Sequence, residues 1–342
     1  MNPLRSPCEP SVRHVCEDGA DWQQTLRDAV RDAAELCRAL GLEPPTAGDR
    51  QAAADFRVFV PRPYLQRIRP GDPDDPLLRQ VLPVAAETAP SPGFSHDPVG
   101  DRSAVRQPGL LHKYRGRALM VATGACAVHC RYCFRRHFPY DEAPGTLAGW
   151  TPALETLAAD PSIHELILSG GDPLMLRDER LAELTEALAE IPHLRRLRVH
   201  TRLPVMIPAR VNDELLGWLT GTRLAPWMVV HINHPREVDT AVGAALGRLV
   251  DAGVPVLNQA VLLRGINDEA EVLAELCELL VDLRVSPYYL HQLDRVAGAA
   301  HFEVSVEQGR SIVAELRRRL PGFAVPRYVC EQPGGEHKML LE

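Results

Sequence analysis

The chain has 342 residues, of which 45% are hydrophobic and 24% charged; these values are typical of a folded protein and exclude disorder as its main state. The formal net charge is −7 and the pI about 6.0, so bulk electrostatics do not indicate a nucleic-acid partner. No apolar run approaches the ~18 to 20 residues of a membrane span, and the N-terminus lacks the apolar core of a signal peptide. We therefore predict a cytoplasmic protein with no membrane association, whose cysteines stay mostly reduced.

The first 110 residues differ in composition from the rest. Residues 21–42 carry apolar side chains at helical spacing and end near Gly41, which predicts a helix. Residues 61–110 are rich in proline, glycine and aspartate, a composition typical of loops and short turns. We predict that residues 1–110 form a mainly helical N-terminal extension packed on the main domain.

A regular alternation of strand and helix patterns begins after residue 117. Short apolar segments lie at residues 118–123, 165–169, 197–201, 227–233, 254–263 and 285–293. Helical patterns lie between and after them, at residues 178–191, 237–252, 269–283 and 304–320. This series predicts an α/β domain with a parallel sheet over residues 111–320, followed by a C-terminal segment over 321–342. Six units are too few to close an eight-stranded barrel, so a partial (β/α)6 barrel and a flat doubly wound sheet both fit.

Polar residues follow the end of each predicted strand. Ligands bind at the carboxyl ends of parallel strands in either fold, so these residues are expected to share one rim. They include the cysteines at 126–133, Ser169–Asp172, and the polar groups at 200–202, 231–234, 258–259 and 291–294. The sequence therefore predicts a single active site at that rim.

Three cysteines, Cys126, Cys130 and Cys133, lie in the loop after the first strand. Clustered thiols in a reduced compartment usually bind metal, and a four-iron cluster normally takes four thiolates. Three thiolates leave one iron open to a small molecule. A structural zinc site with His129 or His137 as fourth ligand is the alternative. No second short pair of ligands follows, which favours the cluster.

Only two of the 38 basic residues are lysines, Lys113 and Lys338. An amine can attack an aldehyde and a guanidinium cannot, so a retained lysine is a candidate for covalent cofactor binding. Lys338 follows two glycines that let the backbone approach a bound group closely. A solvated C-terminal tail is the structural alternative.

The cysteine spacing, with Tyr132 just before the third cysteine, resembles the signature of the radical S-adenosylmethionine (radical SAM) superfamily. The resemblance implies a [4Fe-4S] cluster on Cys126, Cys130 and Cys133, with S-adenosyl-L-methionine chelating the fourth iron. An external electron donor such as flavodoxin or ferredoxin would reduce the cluster to generate a 5′-deoxyadenosyl radical. The residues implied to contact S-adenosylmethionine are Ser169, Gly170, Gly171, Asp172, His231 and Gln259.

Several further segments resemble lysine 2,3-aminomutases. They are residues 200–205, 207–210, 258–265, 288–290 and the Pro-Gly-Gly run before Lys338; residues 71–80, 108–114 and 134–140 resemble the short bacterial branch that makes (R)-β-lysine for elongation factor P. The resemblance implies an isomerase that moves the amino group of L-lysine from the α- to the β-carbon, and a product used by an elongation factor P ligase. The implied contacts are Lys338 for pyridoxal 5′-phosphate, Lys113 and Arg117 for its phosphate, Arg135 for the substrate carboxylate, and Asp294 and Glu331 for the substrate ε-ammonium.

Two alternatives remain at this point. The first is an aminomutase for arginine or glutamate; glutamate would need a cation where Asp294 stands, whereas arginine could use the same anion. The second is a degenerate iron-sulfur binding module with an electron-transfer or regulatory role. The presence of Lys338, Ser169–Asp172 and Asp294 argues against that degeneracy.

Overall fold

The computed structural model describes residues 21–140 and 144–342, and within these ranges ten strands form one sheet in sequence order. The strands are β1 (Val105–Gln107), β2 (Leu110–Tyr114), β3 (Arg117–Thr123), β4 (Glu165–Gly170), β5 (Arg196–Thr201), β6 (Ala225–His231), β7 (Val256–Val261), β8 (Ser286–His291), β9 (Arg327–Cys330) and β10 (Met339–Leu340). The helices are α1 (Trp22–Arg27), α2 (Ala33–Ala39), α3 (Ala47–Asp55), α4 (Arg62–Leu65), α5 (Leu147–Ala159), α6 (Asp178–Ala189), α7 (Leu203–Met206), α8 (Asp213–Thr220), α9 (Thr240–Asp251), α10 (Ala270–Asp282) and α11 (Val306–Arg319). None of these helices is long and apolar enough to cross a membrane.

Strands β3 to β9 are parallel, and β1, β2 and β10 add antiparallel pairs at the two edges. The six predicted strands correspond to β3–β8, which confirms the predicted α/β series. The sequence did not reveal β1, β2, β9 and β10. These strands have only three, five, four and two residues, so they are too short for a clear apolar period.

The sheet curls into an open partial barrel. Lys113 on β2 and Glu331, just after β9, place Nζ and Oε1 2.9 Å apart. In a flat sheet, the seven steps between these strands would separate them by about 34 Å at ~4.8 Å per step. No pairing joins β1 to β10 among the strands described above, so the barrel stays open. This curvature decides against the flat doubly wound alternative.

Helices on the outer face bury one apolar stripe each against the sheet. In α6 the stripe is Leu181, Leu184 and Leu188, all fully buried, and Asp178 and Glu179 in its first turn suit the positive end of the helix dipole. These contacts belong to a continuous core that also includes β3, β4 and β5. The rim at the carboxyl ends of the strands is left for polar side chains.

The prediction of one helix over residues 21–42 was wrong. The chain instead forms α1 and α2, interrupted where Val30 exchanges two 2.9 Å backbone hydrogen bonds with Val60. A contact with a residue thirty positions away does not change the local spacing of apolar residues, so the sequence pattern could not predict this interruption. The helix predicted from residue 237 likewise begins at Thr240, because the Asp239 carboxylate accepts from the Val242 amide and caps it there.

The N-terminal extension holds the cysteine loop through buried arginines. Arg131, which is fully buried, donates to both oxygens of Glu87 (2.8 and 2.6 Å) and to the Phe56 carbonyl (2.6 Å). Arg136 donates to the same Glu87 carboxylate at 2.8 Å. Residues 1–20 of the predicted extension lie outside the described residues, and the predicted division at residues 110 and 320 stays a prediction.

Candidate active site

A cavity of about 710 Å³ runs through the partial barrel, from the cysteine loop at the carboxyl ends of the parallel strands to the first residues of β3, β4 and β5. Every residue assigned a site role from the sequence lines it, from β2 round to the chain's C-terminal segment. They are Lys113, Arg117, Cys126, Cys130, Cys133, Arg135, Ser169, Gly170, Gly171, Asp172, His231, Gln259, Asp294, Glu331 and Lys338. The tertiary structure thus brings the predicted residues together, while their individual roles stay predictions.

The cysteine loop is fixed by backbone hydrogen bonds to the turn after β4. The Gly171 amide donates to the Thr123 carbonyl (2.9 Å) and the Asp172 amide to the Ala125 carbonyl (2.7 Å). None of the cysteines in the described residues forms a disulfide. Burial raises the pKa of the Cys126 thiol, and the nearby Cys133 raises it further. The loop therefore holds three half-buried thiols close together, none of them in a disulfide.

The two glycines of Ser169–Asp172 are required by close packing. A Cβ on Gly171 would lie 2.2 Å from the Ala125 carbonyl oxygen, and Gly170 has a φ of +120°. The Asp172 carboxylate accepts from the Thr201 hydroxyl (2.7 Å) and from backbone amides of the turns after β4 and β5. Its side chain thus ties adjacent strand ends together, and its contact with S-adenosylmethionine stays a prediction.

A chain of ion pairs crosses the cavity. Lys338 and Lys113, the only lysines of the protein, bind the two oxygens of Glu331 at 2.5 and 2.9 Å. Lys113 also lies 2.6 Å from one oxygen of Asp101, and Arg135 lies 2.6 Å from the other. Burial alone would raise the pKa of Glu331, but Lys338 and Lys113 lower it to about 2. Glu331 therefore stays ionised and orients both amines.

Asp294 differs from Glu331 because its carboxylate makes no hydrogen bond or ion pair with any described residue. Burial raises the pKa of Asp294 to about 7, although the Lys338 ammonium acts in the opposite direction. His200 Nε2 is also buried without a partner among the described residues. Unpartnered polar groups are costly inside a protein, so a ligand that pairs with them is favoured here.

Comparison with known proteins assigns the family. The Radical SAM superfamily model matches residues 120–277. The L-lysine 2,3-aminomutase of Escherichia coli K12 is 48% identical over 94% of both chains, and that of Haemophilus influenzae is 45% identical over 98% of both. The L-lysine 2,3-aminomutase of Clostridium subterminale is 36% identical over 94% of this chain and 77% of its own. This chain belongs to the lysine 2,3-aminomutase family.

Family membership confirms the predicted radical SAM fold class and the predicted isomerase. It also implies the three predicted cofactors, a [4Fe-4S] cluster, S-adenosylmethionine and pyridoxal phosphate. An enzyme is thereby favoured over a degenerate iron-sulfur module.

The donor set of the cysteine loop fits a multi-iron cluster. Its thiolates bind separate irons, so their sulfurs need not converge on a single point. Within residues 21–140 and 144–342 no three His, Cys, Asp or Glu side chains converge on one metal position, as a zinc site would require. His129 and His137, the candidates for a zinc ligand, bind the backbone carbonyls of Arg57 (2.8 Å) and Ala297 (3.1 Å) instead.

The opposite side of the cavity fits a phosphorylated aldehyde. Lys338 supplies the amine, and Lys113 and Arg117 supply cations. The Arg117 guanidinium stacks over the Tyr114 ring, with 4.6 Å from its Cζ to the ring centroid, which orients the guanidinium without neutralising its charge.

The two predicted S-adenosylmethionine contacts on β6 and β7 lie close to aromatic or imidazole groups. His231 Nε2 is 2.9 Å from the Tyr132 hydroxyl, and Gln259 Nε2 is 3.5 Å from His200 Nδ1.

Sequence reasoning missed Asp101 as a member of the site. It is 2% exposed and joins Lys113 to Arg135, which hold its pKa below the ordinary value despite its burial. Asp101 lies among many aspartates in a proline- and glycine-rich segment, so no local spacing marks it. The only available signal was indirect, since two buried cations need an anion nearby.

Proposed function

We propose that this chain is an L-lysine 2,3-aminomutase that holds pyridoxal phosphate on Lys338 and forms (R)-β-lysine, which an elongation factor P ligase then uses. The observation that carries the proposal is the pair of carboxylates beside Lys338. Glu331 binds its ammonium, while Asp294 has no partner among the described residues. A second ammonium, that of a diamino acid, is the ligand that Asp294 lacks.

The bound cofactors supply radical-initiated migration of an amino group between neighbouring carbons, and the protein positions the reactants. Cys126, Cys130 and Cys133 would hold the cluster. Lys338 Nζ would bind the aldehyde of pyridoxal phosphate. The polar turn after β4, His231 and Gln259 would bind S-adenosylmethionine.

The charged residues orient the substrate and the phosphate. Lys113 and Arg117 would bind the phosphate, while Arg135 would bind the substrate carboxylate with guanidinium nitrogens that Asp101 already holds in place. Asp294 would bind the ε-ammonium of lysine. Ionised Asp294 has no favourable contact for the side-chain carboxylate of glutamate, so the cavity favours a cationic substrate over an acidic one.

The assignment of Lys338 is tested by reduction with borohydride in the presence of pyridoxal phosphate. Trapped cofactor has only two lysine side chains on which to appear, so tryptic mass spectrometry locates it directly. We expect it on Lys338, and expect Lys338→Ala to lose it while keeping its iron. Lys113→Arg is the matched control and should retain trapping. Undiminished trapping in Lys338→Ala would refute the assignment.

The substrate is tested by anaerobic turnover of the reconstituted enzyme with lysine, arginine and glutamate in parallel. We expect β-lysine from lysine and no product from glutamate. Adding elongation factor P and its ligase to the lysine reaction should increase the mass of elongation factor P by one β-lysyl group. Absence of β-lysine contradicts the aminomutase proposal, whereas β-lysine that is not transferred contradicts only the proposed partner.

A further inference from the structure

The guanidinium of Arg202, just after β5, reaches the cysteine loop. Its Nη1 donates to the sulfur of Cys130 at 2.8 Å. Its Nη2 donates to Glu237 (2.8 Å) and to Gln80 of the N-terminal extension (2.6 Å). Arg202 is only 6% exposed, so this contact lies inside the protein and away from bulk water.

Glu237 holds the guanidinium in place. The carboxylate is fully buried and also accepts from the Asn233 amide (2.9 Å), the His234 amide (3.1 Å) and the Gln80 side chain (3.1 Å). Burial alone would raise the pKa of Glu237, but Arg202 lowers it, so the carboxylate is an anion. Arg202 is therefore a fixed cation whose charge is partly balanced by one identified partner.

Hydrogen bonds and positive charge at a ligand sulfur favour the reduced state of an iron-sulfur cluster, because reduction adds negative charge to the cluster and its thiolates. Low effective dielectric in the interior strengthens this interaction. The path from Glu237 through Arg202 to Cys130 therefore connects one buried anion to one cluster ligand.

We propose that Arg202, balanced by Glu237, sets the reduction potential of the cluster through its hydrogen bond to the Cys130 sulfur. It is a positioning residue, since it acts through Cys130 and has no assigned contact with substrate. The inference rests on the proposed binding of the cluster by Cys130. The step concerned is the uptake of one electron by the cluster from an external reductant.

The test is a dithionite titration of anaerobically reconstituted protein, followed by electron paramagnetic resonance without S-adenosylmethionine. Arg202→Met should lower the equilibrium constant for one-electron reduction about tenfold or more, a shift of ~59 mV or more to lower potential. Glu237→Gln should shift the potential in the opposite direction, because Arg202 then keeps its contact but loses its balancing anion. Arg202→Lys keeps the positive charge but not the branched guanidinium. Its reduction potential should lie between those of Arg202→Met and the wild type.

Arg210→Met is the matched control. Arg210 is also fully buried and ion-paired, with Nη2 2.8 Å from Asp178, and it donates to no cysteine sulfur in the described residues. Its loss should leave the potential unchanged. Opposite shifts in Arg202→Met and Glu237→Gln support the proposal; unchanged potentials, or shifts of the same sign, overturn it.

Iron content separates this inference from the proposed function. A wild-type chain that binds no cluster would contradict the assignment of the cysteines. A normal cluster with an unaltered potential in the variants would contradict the role of Arg202 alone. If Arg202→Met fails to retain iron, Arg202→Lys and Glu237→Gln decide the question by the sign of their shifts.

Discussion

Glu87 is the carboxylate through which the N-terminal extension holds the cysteine loop, and its removal should cost a large part of the stability of the protein. Its side chain is 1% exposed and lies against two guanidinium groups, Arg131 at 2.6 Å and Arg136 at 2.8 Å. Glu87→Gln would leave both cations buried without their anion. Removing one partner of a buried ion pair typically costs ~3–5 kcal/mol.

The expected loss lies near the lower end of that range. Arg131 keeps its hydrogen bonds to the Phe56 (2.6 Å) and Ala52 (3.1 Å) carbonyls, and the new amide still offers one acceptor oxygen. We therefore expect Glu87→Gln to lower the free energy of unfolding by ~3 kcal/mol. The cysteine loop should also hold less iron, because Arg131 and Arg136 flank Cys133.

The assay is urea unfolding followed by circular dichroism, with iron per chain measured on the reconstituted protein. Asp251→Asn is the matched control, since it removes an anion from the Arg284 pair, whose side chains are 60% and 66% exposed. Exposed pairs contribute ~0–1 kcal/mol, so this variant should unfold almost as the wild type does. If Glu87→Gln lowers the free energy of unfolding no more than the control does, the proposed anchoring of the loop is refuted.

Three further predictions concern the cavity and its cysteine loop. The pKa of Asp294 is raised to about 7 in the folded state, from an ordinary value of 3.8. As pH rises between these values, the free energy of unfolding of the ligand-free protein should therefore fall by up to ~4 kcal/mol relative to that of Asp294→Asn. The comparison with the variant is needed because buried His231 and His291, whose pKa values are lowered to about 3, act in the opposite direction in both proteins. A difference in urea midpoint between the two proteins that stays constant across that window would contradict this. The KM for lysine should also rise below about pH 7, as the protonated carboxyl no longer pairs with an ammonium. Gly171→Ala should displace the cysteine loop and lower the iron content, because its Cβ would meet the Ala125 carbonyl at 2.2 Å, whereas Gly217→Ala, in open space on α8, should leave iron unchanged and the melting temperature equal or higher.

The local spacing of apolar residues was sufficient to predict the strands and helices that are long and regular. The strands β3–β8 and the helices α6, α10 and α11 lie close to their predicted positions, because each repeats its apolar period several times. The break between α1 and α2 was not predictable in this way, since it depends on the backbone pairing of Val30 with Val60. The short edge strands were not predicted for a related reason: pairing with a neighbouring strand, rather than their own residues, makes them strands.

The sequence by itself determined the chemistry available to this protein. Three cysteines in one short loop, a glycine-rich turn and one lysine near the C-terminus are local features, and their residue types limit what they can bind. Tertiary structure decided how these groups meet. Curling of the sheet joins Lys113 to Glu331 across 218 positions, inserts Asp101 between Lys113 and Arg135, and places Arg202 on the sulfur of Cys130. Such contacts arise only when distant segments pack together, because the need of a buried charge for a partner sets no spacing along the chain.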